Sequence, residues 1–195
     1  MSEIQQNREP APRYRLKKTV VMVGMMGAGK TAVGRALAAR LDVPFLDSDA
    51  EIETAANMTV PEIFARDGEP FFRAKEAQVI GRLLDEARGV LSTGGGAFLQ
   101  DANREMISAR GVSLWLNADL DLLWQRVRHK DTRPLLRTPD PRATLAEIYA
   151  QRAPVYALAD VAVQSLPELS IEAMVDRVIA ALLAQREDVL EVDHA

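Results

Sequence analysis

A glycine-rich segment at residues 24–31, Gly-Met-Met-Gly-Ala-Gly-Lys-Thr, has the spacing of a phosphate-binding loop. Its glycines allow the main chain to curl so that several N–H groups point at one anion, and a following helix adds the positive end of its dipole. Lys30 can then reach the β- and γ-phosphates of a nucleotide, and the Thr31 hydroxyl can bind Mg²⁺. The alternative is a turn that happens to end in Lys-Thr. The apolar run before the segment and the helical pattern after it favour a site for a nucleoside triphosphate.

Two carboxylates, Asp47 and Asp49, follow the second predicted strand. A Mg²⁺ ion bound to a triphosphate usually has a carboxylate among its ligands or next to them. One aspartate could therefore serve the metal while the other serves a hydroxyl group of a substrate. The alternative, in which Asp49 only caps the next helix and Asp47 only ends the strand, fits the sequence equally well.

Three consecutive glycines, Gly94, Gly95 and Gly96, follow the third predicted strand. Many proteins with a phosphate-binding loop place a metal-binding aspartate after such a strand, and the glycines here move the expected carboxylate to Asp47. Glycines also let the main chain approach a ligand closely and present bare N–H groups. A flexible turn is the alternative.

Arginines supply the remaining candidates. Residues 133–142 are rich in proline, carry three arginines and lie between two predicted helices, which suits a lid that brings a guanidinium onto phosphate and excludes water. A solvated loop is the alternative. Arg73 and Arg152 lie near aromatic residues, across which an arginine often only extends towards solvent. For the two histidines, His129 and His194, we expect surface roles.

The elements that must position these residues alternate along the chain. The predicted strands are 19–24, 44–47, 89–93, 112–117 and 161–164. The predicted helices are 30–41, 49–56, 60–66, 69–87, 102–110, 118–128, 143–158 and 171–185. This alternation predicts a parallel sheet covered by helices on both faces, with ligands at the carboxyl ends of its strands. The glycine-rich loop, the two aspartates and the three glycines all follow strands, so we expect them to meet at one edge.

Composition narrows the class of protein. The chain has 195 residues, of which 48% are hydrophobic, which suits one domain with a substantial core. Its net charge of −4 argues against a general nucleic-acid binder, and the absence of cysteine excludes disulfides and thiolate metal sites. No apolar run reaches membrane-spanning length, and the N-terminus lacks the apolar core of a signal peptide. We expect a cytoplasmic monomer that binds neither nucleic acid nor membrane.

The two ends differ from the body of the chain. Residues 1–17 are polar and contain two prolines, so we expect a flexible N-terminal extension before a P-loop domain at 18–186. Residues 187–195 form an acidic C-terminal tail. Because Val189, Leu190 and Val192 alternate with its acids, a last helical turn docked on the body is the alternative.

Six motifs, in their order and spacing, resemble those of the shikimate kinase family. They are the loop at 24–31, Leu-Asp-Ser-Asp at 46–49, Asp-Gly-Glu-x-x-Phe-Arg-x-x-Glu at 67–76, Thr-Gly-Gly-Gly at 93–96, Arg-Pro-Leu-Leu at 133–136 and Arg-Ala-Pro-Val-Tyr at 152–156. The likeness extends over residues 18–185. It implies an α/β P-loop fold of the nucleoside-monophosphate-kinase type, a five-stranded parallel sheet flanked by helices, with a lid. It also implies a phosphotransferase of aromatic amino-acid biosynthesis that transfers the γ-phosphoryl group of ATP to the 3-hydroxyl of shikimate, giving shikimate 3-phosphate and ADP.

The resemblance also implies roles on the acceptor side. Asp49 would hold the shikimate hydroxyls and take the proton from the attacking one. Arg73 and Arg152 would grip the substrate carboxylate. The main chain of the three glycines would line the same pocket. These groups suit shikimate, because a small hydroxylated anion needs cations for its carboxylate and acceptors for its hydroxyls.

On the nucleotide side, the resemblance implies that Thr31 binds Mg²⁺ directly and that Asp47 reaches it through water. Lys30 and Arg133 would neutralise charge on the transferring group, so that they form the catalytic set together with Asp49. The residues expected to contact ATP are Gly27, Ala28, Gly29, Lys30, Thr31, Ala32, Arg126 and Arg133, with Arg126 against the base. Some family members carry an arginine near the adenine after the last strand. Residues 164–168 here have none, so main-chain contacts to the base are expected there.

Three other classes of protein fit part of the sequence. A kinase for another small molecule, such as gluconate, would keep the loop and the lid but would have little use for Arg73, the glycines and Arg152 together. A GTP-dependent switch would need an Asn-Lys-x-Asp sequence, which does not occur in the chain. An ATP-binding module without catalysis would have little reason to keep the whole catalytic and metal-binding set intact, namely Lys30, Thr31, Asp47, Asp49 and Arg133.

Overall fold

The computed structural model describes residues 13–130 and 133–193. Its strands are β1 (Arg13–Leu16), β2 (Thr19–Val23), β3 (Phe45–Asp47), β4 (Val90–Ser92), β5 (Gly111–Asn117), β6 (Val161–Gln164) and β7 (Leu190–Asp193). Its helices are α1 (Lys30–Leu41), α2 (Ser48–Ala56), α3 (Val60–Asp67), α4 (Glu69–Glu86), α5 (Asp101–Arg110), α6 (Leu120–Val127), α7 (Pro141–Tyr156) and α8 (Ile171–Gln185). Short 3₁₀ turns at Ala97–Leu99 and Pro134–Leu136 follow β4 and α6.

Five strands form one parallel sheet in the order β3-β4-β2-β5-β6. The central strand β2 is buried along its whole length, so the loop after it leaves the middle of the sheet edge. Neighbouring β3 and β4 end at the same edge, since their register pairs Asp47 with Ser92. The predicted fold class is therefore confirmed, and the three segments that follow these strands lie side by side.

The buried apolar residues form two clusters. The larger one fills the space between the sheet and the surrounding helices, with Leu37, Ile107 and Leu182 fully buried. The smaller one consists of Ile52, Ile63 and Phe72, and it joins α2, α3 and α4. Because Asp49 and Arg73 lie on two of these helices, the smaller cluster fixes the position of one carboxylate relative to one guanidinium.

Local side-chain chemistry sets where helices begin. Thr59 starts α3 with a capping box shared with Glu62, and Ser170 starts α8 by accepting a main-chain N–H. Asp140 does the same for α7. That helix begins at Pro141, earlier than predicted, because proline is well tolerated in a first turn.

The two ends of the described chain pair with each other. β1 and β7 form an antiparallel two-stranded ribbon, with Leu16 and Leu190 buried beneath it. Glu191 forms ion pairs with Arg15 and Lys17 across the ribbon. The prediction of an extension without regular structure is therefore wrong for Arg13–Leu16. The C-terminal tail does dock on the body, but as a strand and not as a helical turn.

Residues 1–12 and 194–195 lie outside the described residues, and so does His194. The predicted division of the chain at 17 and 187 stays a prediction for those parts. Within the described ranges, no helix combines the length and apolar character needed to cross a membrane.

Candidate active site

The loop after β2 adopts the curled conformation that its glycines predict. Gly27 and Gly29 have φ angles of 80° and 94°, which side chains with a Cβ atom rarely adopt. A Cβ atom on Gly27 would also lie 2.7 Å from Val127 Cγ1, so the loop packs against α6 at that point. Helix α1 begins at Lys30, directly after the loop. Its positive end is therefore directed at the cavity that the loop encloses.

Lys30 points back along its own loop. Its Nζ donates hydrogen bonds to the carbonyl oxygens of Gly24 at 2.8 Å and Met25 at 3.0 Å. Burial, followed by the positive charge of Arg133, lowers the pKa of Lys30 to about 8. Its contacts in this structure are thus neutral carbonyls, which an anionic ligand can replace.

The two aspartates have different surroundings. Asp47 ends β3, and its Oδ1 accepts the Ala50 N–H at 3.1 Å, so Asp47 caps α2. Asp49 Oδ1 is buried without a hydrogen-bond partner among the described residues. Burial, followed by the charge of Asp47, raises the pKa of Asp49 to about 6. The alternative in which Asp49 is only a helix cap is therefore wrong, and its carboxylate is available to a ligand.

The glycines after β4 lie against three of the predicted site residues. A Cβ atom on Gly94 would lie 2.9 Å from Asp49 Oδ2. One on Gly95 would lie 3.0 Å from a terminal nitrogen of Arg152. One on Gly96 would overlap the guanidinium of Arg73. The absence of side chains here is therefore what allows one carboxylate and two guanidinium groups to converge on the same stretch of main chain.

Arg73 is held in place by a carboxylate for which the sequence predicted no role. Its Nη1 donates to Glu76 Oε1 at 2.8 Å, and the Glu76 side chain is fully buried. Burial raises the pKa of Glu76, although its bond with Arg73 opposes the shift. The guanidinium also lies 5.3 Å from the centre of the Phe72 ring. The sequence signals for this pair were the i,i+3 spacing of arginine and glutamate on a predicted helix and their presence in the motif at 67–76.

Two adjoining cavities occupy this edge of the sheet. The larger, of about 560 Å³, is lined by all the residues predicted to contact ATP or Mg²⁺. The smaller, of about 210 Å³, is lined by all those predicted to bind shikimate. The residues common to both are Met26, Asp49, Gly94, Gly95 and Arg133. Arg133 thus lies at their junction, where its Nε is buried without a partner in the described part of the chain. The structure therefore brings the predicted set together in two joined spaces.

Leu169, Ile171 and Met174 line part of the larger cavity and form its apolar end. Arg126 lines the same cavity, and its Nη1 donates to the Gly27 and Ala28 carbonyls at 3.1 and 3.2 Å. Burial lowers the pKa of Arg126. A cavity that combines apolar side chains with a guanidinium plane suits a flat aromatic base.

Two further residues bear on the predictions. Lys130 lines the larger cavity, although the sequence suggested no role for it. Its only signal was its position shortly before the arginine-rich segment. His129 is exposed, as expected.

Comparison with known proteins shows extensive similarity. The model of the family described as shikimate kinase matches residues 26–183. The shikimate kinase of Ruegeria pomeroyi is 73% identical over 177 residues, which cover 91% of this chain and 90% of that protein. That of Cereibacter sphaeroides is 68% identical over 190 residues, 96% of this chain and 94% of that protein. The structure of shikimate kinase from Acinetobacter baumannii in complex with shikimate has a TM-score of 0.80 at 36% identity, covering 87% of this chain and 95% of that one.

Proposed function

The chain belongs to the shikimate kinase family and is an enzyme that phosphorylates shikimate with ATP; we propose that its two adjoining cavities divide the two substrates. ATP occupies the larger cavity, and shikimate occupies the smaller one. The observation that supports this assignment is that Asp49 and Arg133 line both cavities and so form a wall that the two cavities share. A phosphoryl donor and a hydroxyl acceptor can therefore meet there without leaving the site.

In the smaller cavity, Arg73 and Arg152 bind the carboxylate of shikimate. A guanidinium offers paired N–H donors that match the two oxygens of a carboxylate, and Glu76 keeps that of Arg73 oriented. Main-chain groups of the glycine segment complete the wall. The substrate hydroxyls then lie towards Asp49, whose free oxygen supplies the acceptor that they need.

Asp49 acts as the base. The 3-hydroxyl oxygen of shikimate attacks the γ-phosphorus, the bond from that phosphorus to the β,γ-bridging oxygen breaks, and ADP leaves. The hydroxyl proton passes to the Asp49 carboxylate. With a pKa of about 6, this carboxylate is ionised at neutral pH and more basic than an ordinary aspartate.

In the larger cavity, Lys30 and Arg133 balance the negative charge that is shared between the γ-phosphoryl group and the leaving ADP. Lys30 exchanges its two carbonyl partners for phosphate oxygens when ATP binds. The main chain of the loop and the start of α1 hold the other phosphates. The base lies at the apolar end against Arg126.

The residues around the loop also fit a Mg²⁺ ion, which prefers oxygen ligands. The Thr31 hydroxyl and the carboxylate of Asp47 line the same cavity. Within the described ranges, no cluster of at least three His, Cys, Asp or Glu side chains could hold a metal ion, so phosphate oxygens would supply the other ligands. Thr31 would hold the ion directly, and Asp47 would hold it through water. When bound, Mg²⁺ neutralises charge on the phosphates.

We further propose that the enzyme works as a monomer in the cytoplasm, without nucleic acid or membrane. The net charge of −4 supports the lack of nucleic-acid binding. Every role in the two cavities is assigned to a residue of this chain, so the proposal needs no second copy to supply one.

The direct test offers the purified enzyme ATP and Mg²⁺ with shikimate, with gluconate, or with nucleoside monophosphates, and measures ADP release. We expect release that depends on shikimate and Mg²⁺, with phosphate found on the 3-hydroxyl by NMR. Turnover with another acceptor alone would contradict the assignment. Samples treated with EDTA and then given back Mg²⁺ separate the metal proposal from the choice of acceptor.

A further inference from the structure

Two buried side chains outside both cavities hold the glycine segment by its carbonyl groups. The Tyr156 hydroxyl donates to the Gly95 carbonyl oxygen at 2.6 Å. Asn103 Nδ2 donates to the Ala97 carbonyl oxygen at 2.9 Å. Tyr156 is 0% exposed and Asn103 is 1% exposed, so neither side chain can reach a substrate directly.

The segment needs external anchors because it has no side chains of its own. Three successive glycines leave the main chain with more conformational freedom than any other sequence, and that freedom must be lost when the site forms. Upstream, Thr93 Oγ1 donates to the Met22 carbonyl oxygen at 3.1 Å and ties the segment to β2. Downstream, only Tyr156 and Asn103 donate side-chain hydrogen bonds to the carbonyl oxygens of residues 95–97 within the described part of the chain.

Tyr156 also links the segment to one of the carboxylate-binding arginines. Tyr156 and Arg152 lie four residues apart on α7, and therefore on one face of that helix. A terminal nitrogen of Arg152 lies 3.0 Å from the position that a Cβ atom on Gly95 would take. The Tyr156 hydroxyl therefore fixes the distance between α7 and the main chain against which Arg152 packs.

We propose that Tyr156 and Asn103 are positioning residues for the acceptor site, a role that rests on the proposed function. Their hydrogen bonds hold the glycine segment at the spacing at which Asp49, Arg73 and Arg152 surround shikimate. They act through the main chain and touch no reacting atom.

One feature of Asn103 favours this role over a purely structural one. Its Oδ1 is buried without a hydrogen-bond partner among the described residues. A buried unpaired amide oxygen costs stability, and an apolar side chain of similar size would avoid that cost. The amide donor to Ala97 is what an apolar residue could not supply.

Tyr156→Phe tests the inference most cleanly, because it removes the hydroxyl and keeps the ring that packs against Trp115. We expect the KM for shikimate to rise about fivefold, which corresponds to one buried hydrogen bond. The KM for ATP should change less than about twofold, because the phosphates are held by the other loop. Asn103→Leu should act in the same direction.

Thr19→Val is the matched control. Thr19 Oγ1 donates to the Ala87 carbonyl oxygen at 2.9 Å, is also buried, and lies at the opposite end of β2 from the loop. The Thr19→Val substitution should lower the melting temperature about as much as Tyr156→Phe does, without a change in the KM for shikimate.

Two results with Tyr156→Phe would overturn the inference: an unchanged KM for shikimate, or an equal rise in the KM for shikimate and for ATP. If the unaltered enzyme itself fails to phosphorylate shikimate, the proposed function is what fails. If Asn103→Leu does not fold, Tyr156→Phe decides alone.

Discussion

The two cavities share a wall but are built in different ways. The phosphate-binding part of the larger is one continuous stretch of chain, from Met26 to Val33, which carries Lys30 and Thr31. The smaller takes its polar lining from several separate elements, with Asp49 on α2, Arg73 on α4 and Arg152 on α7. The phosphate loop of the nucleotide side is thus specified by local sequence, whereas the acceptor side exists only once distant helices have packed.

The cations of the two cavities are also prepared differently. Lys30 contacts carbonyl oxygens and has a pKa lowered to about 8, so it has no ionic partner to give up before it meets phosphate. Arg73 is paired with the buried carboxylate of Glu76, which fixes its orientation in advance. The first arrangement favours a ligand of high charge, and the second favours a ligand of defined shape.

The largest effect is expected where the two regions meet. Asp49→Asn keeps the size of the side chain but removes the base, so kcat should fall about a thousandfold. Binding of ATP should persist, because the loop and Lys30 are untouched. Steady-state kinetics with calorimetric titration of ATP would measure both. A near-normal kcat would show that Asp49 is not the base.

The next test compares an alanine substitution in each cavity by its effect on the KM values for shikimate and ATP. In Gly96→Ala, the new Cβ atom overlaps the Arg73 guanidinium, so the KM for shikimate should rise about a hundredfold with little change for ATP. In Gly27→Ala, the φ angle of 80° and the 2.7 Å approach to Val127 should instead raise the KM for ATP. If both variants raised both KM values equally, the assignment of ATP to the larger cavity and shikimate to the smaller one would be wrong.

The same contrast explains which parts could be predicted from the sequence. The loop at 24–31 was recognisable because its chemistry lies within one short stretch, and strand–helix alternation was enough for the sheet. The Arg73–Glu76 pair and the Tyr156 contact depend on side-chain geometry that spacing alone does not determine. The ribbon of β1 and β7 was missed because its strands are short, charged and 170 or more residues apart, so neither shows a strong local pattern. The roles of the site residues come from the family resemblance and stay predictions.

Arg73→Lys tests whether the acceptor side needs the shape of guanidinium and not only its charge. Lysine cannot make a paired contact with a carboxylate, so the KM for shikimate should rise about tenfold or more. The KM for ATP should not change, because Arg73 lines only the smaller cavity. Initial-rate kinetics with each substrate varied would show this. Arg82→Lys, on the exposed part of the same helix, is the control. An unchanged KM would make Arg73 a structural residue.

The pH profile should separate the two sides. Asp49 has a raised pKa of about 6, so it gains a proton as pH falls through that value, and kcat/KM for shikimate should drop about tenfold per pH unit below it. Lys30 has a lowered pKa of about 8 and becomes neutral as pH rises through that value, so kcat/KM for ATP should fall on the alkaline side. Glu53 also raises the pKa of Asp49, so Glu53→Gln should move only the acid limb, to lower pH. If the acid limb of the pH profile did not move in Glu53→Gln, the titration of Asp49 would not be the cause of that limb.

The smallest effect is expected for Arg126→Ala, on the nucleotide side. The guanidinium contacts the loop carbonyls of Gly27 and Ala28 and lines the proposed nucleotide cavity, so its loss should remove packing from the base and support from the loop. The KM for ATP should rise about fivefold, the equivalent of one modest interaction, and the KM for shikimate should stay constant. Arg126→Met, which restores the apolar stem without the charge, should recover part of this loss if packing matters. If Arg126→Ala instead raised the KM for shikimate, the two cavities would be coupled through α6, and the nucleotide side could not be treated as separate from the acceptor side.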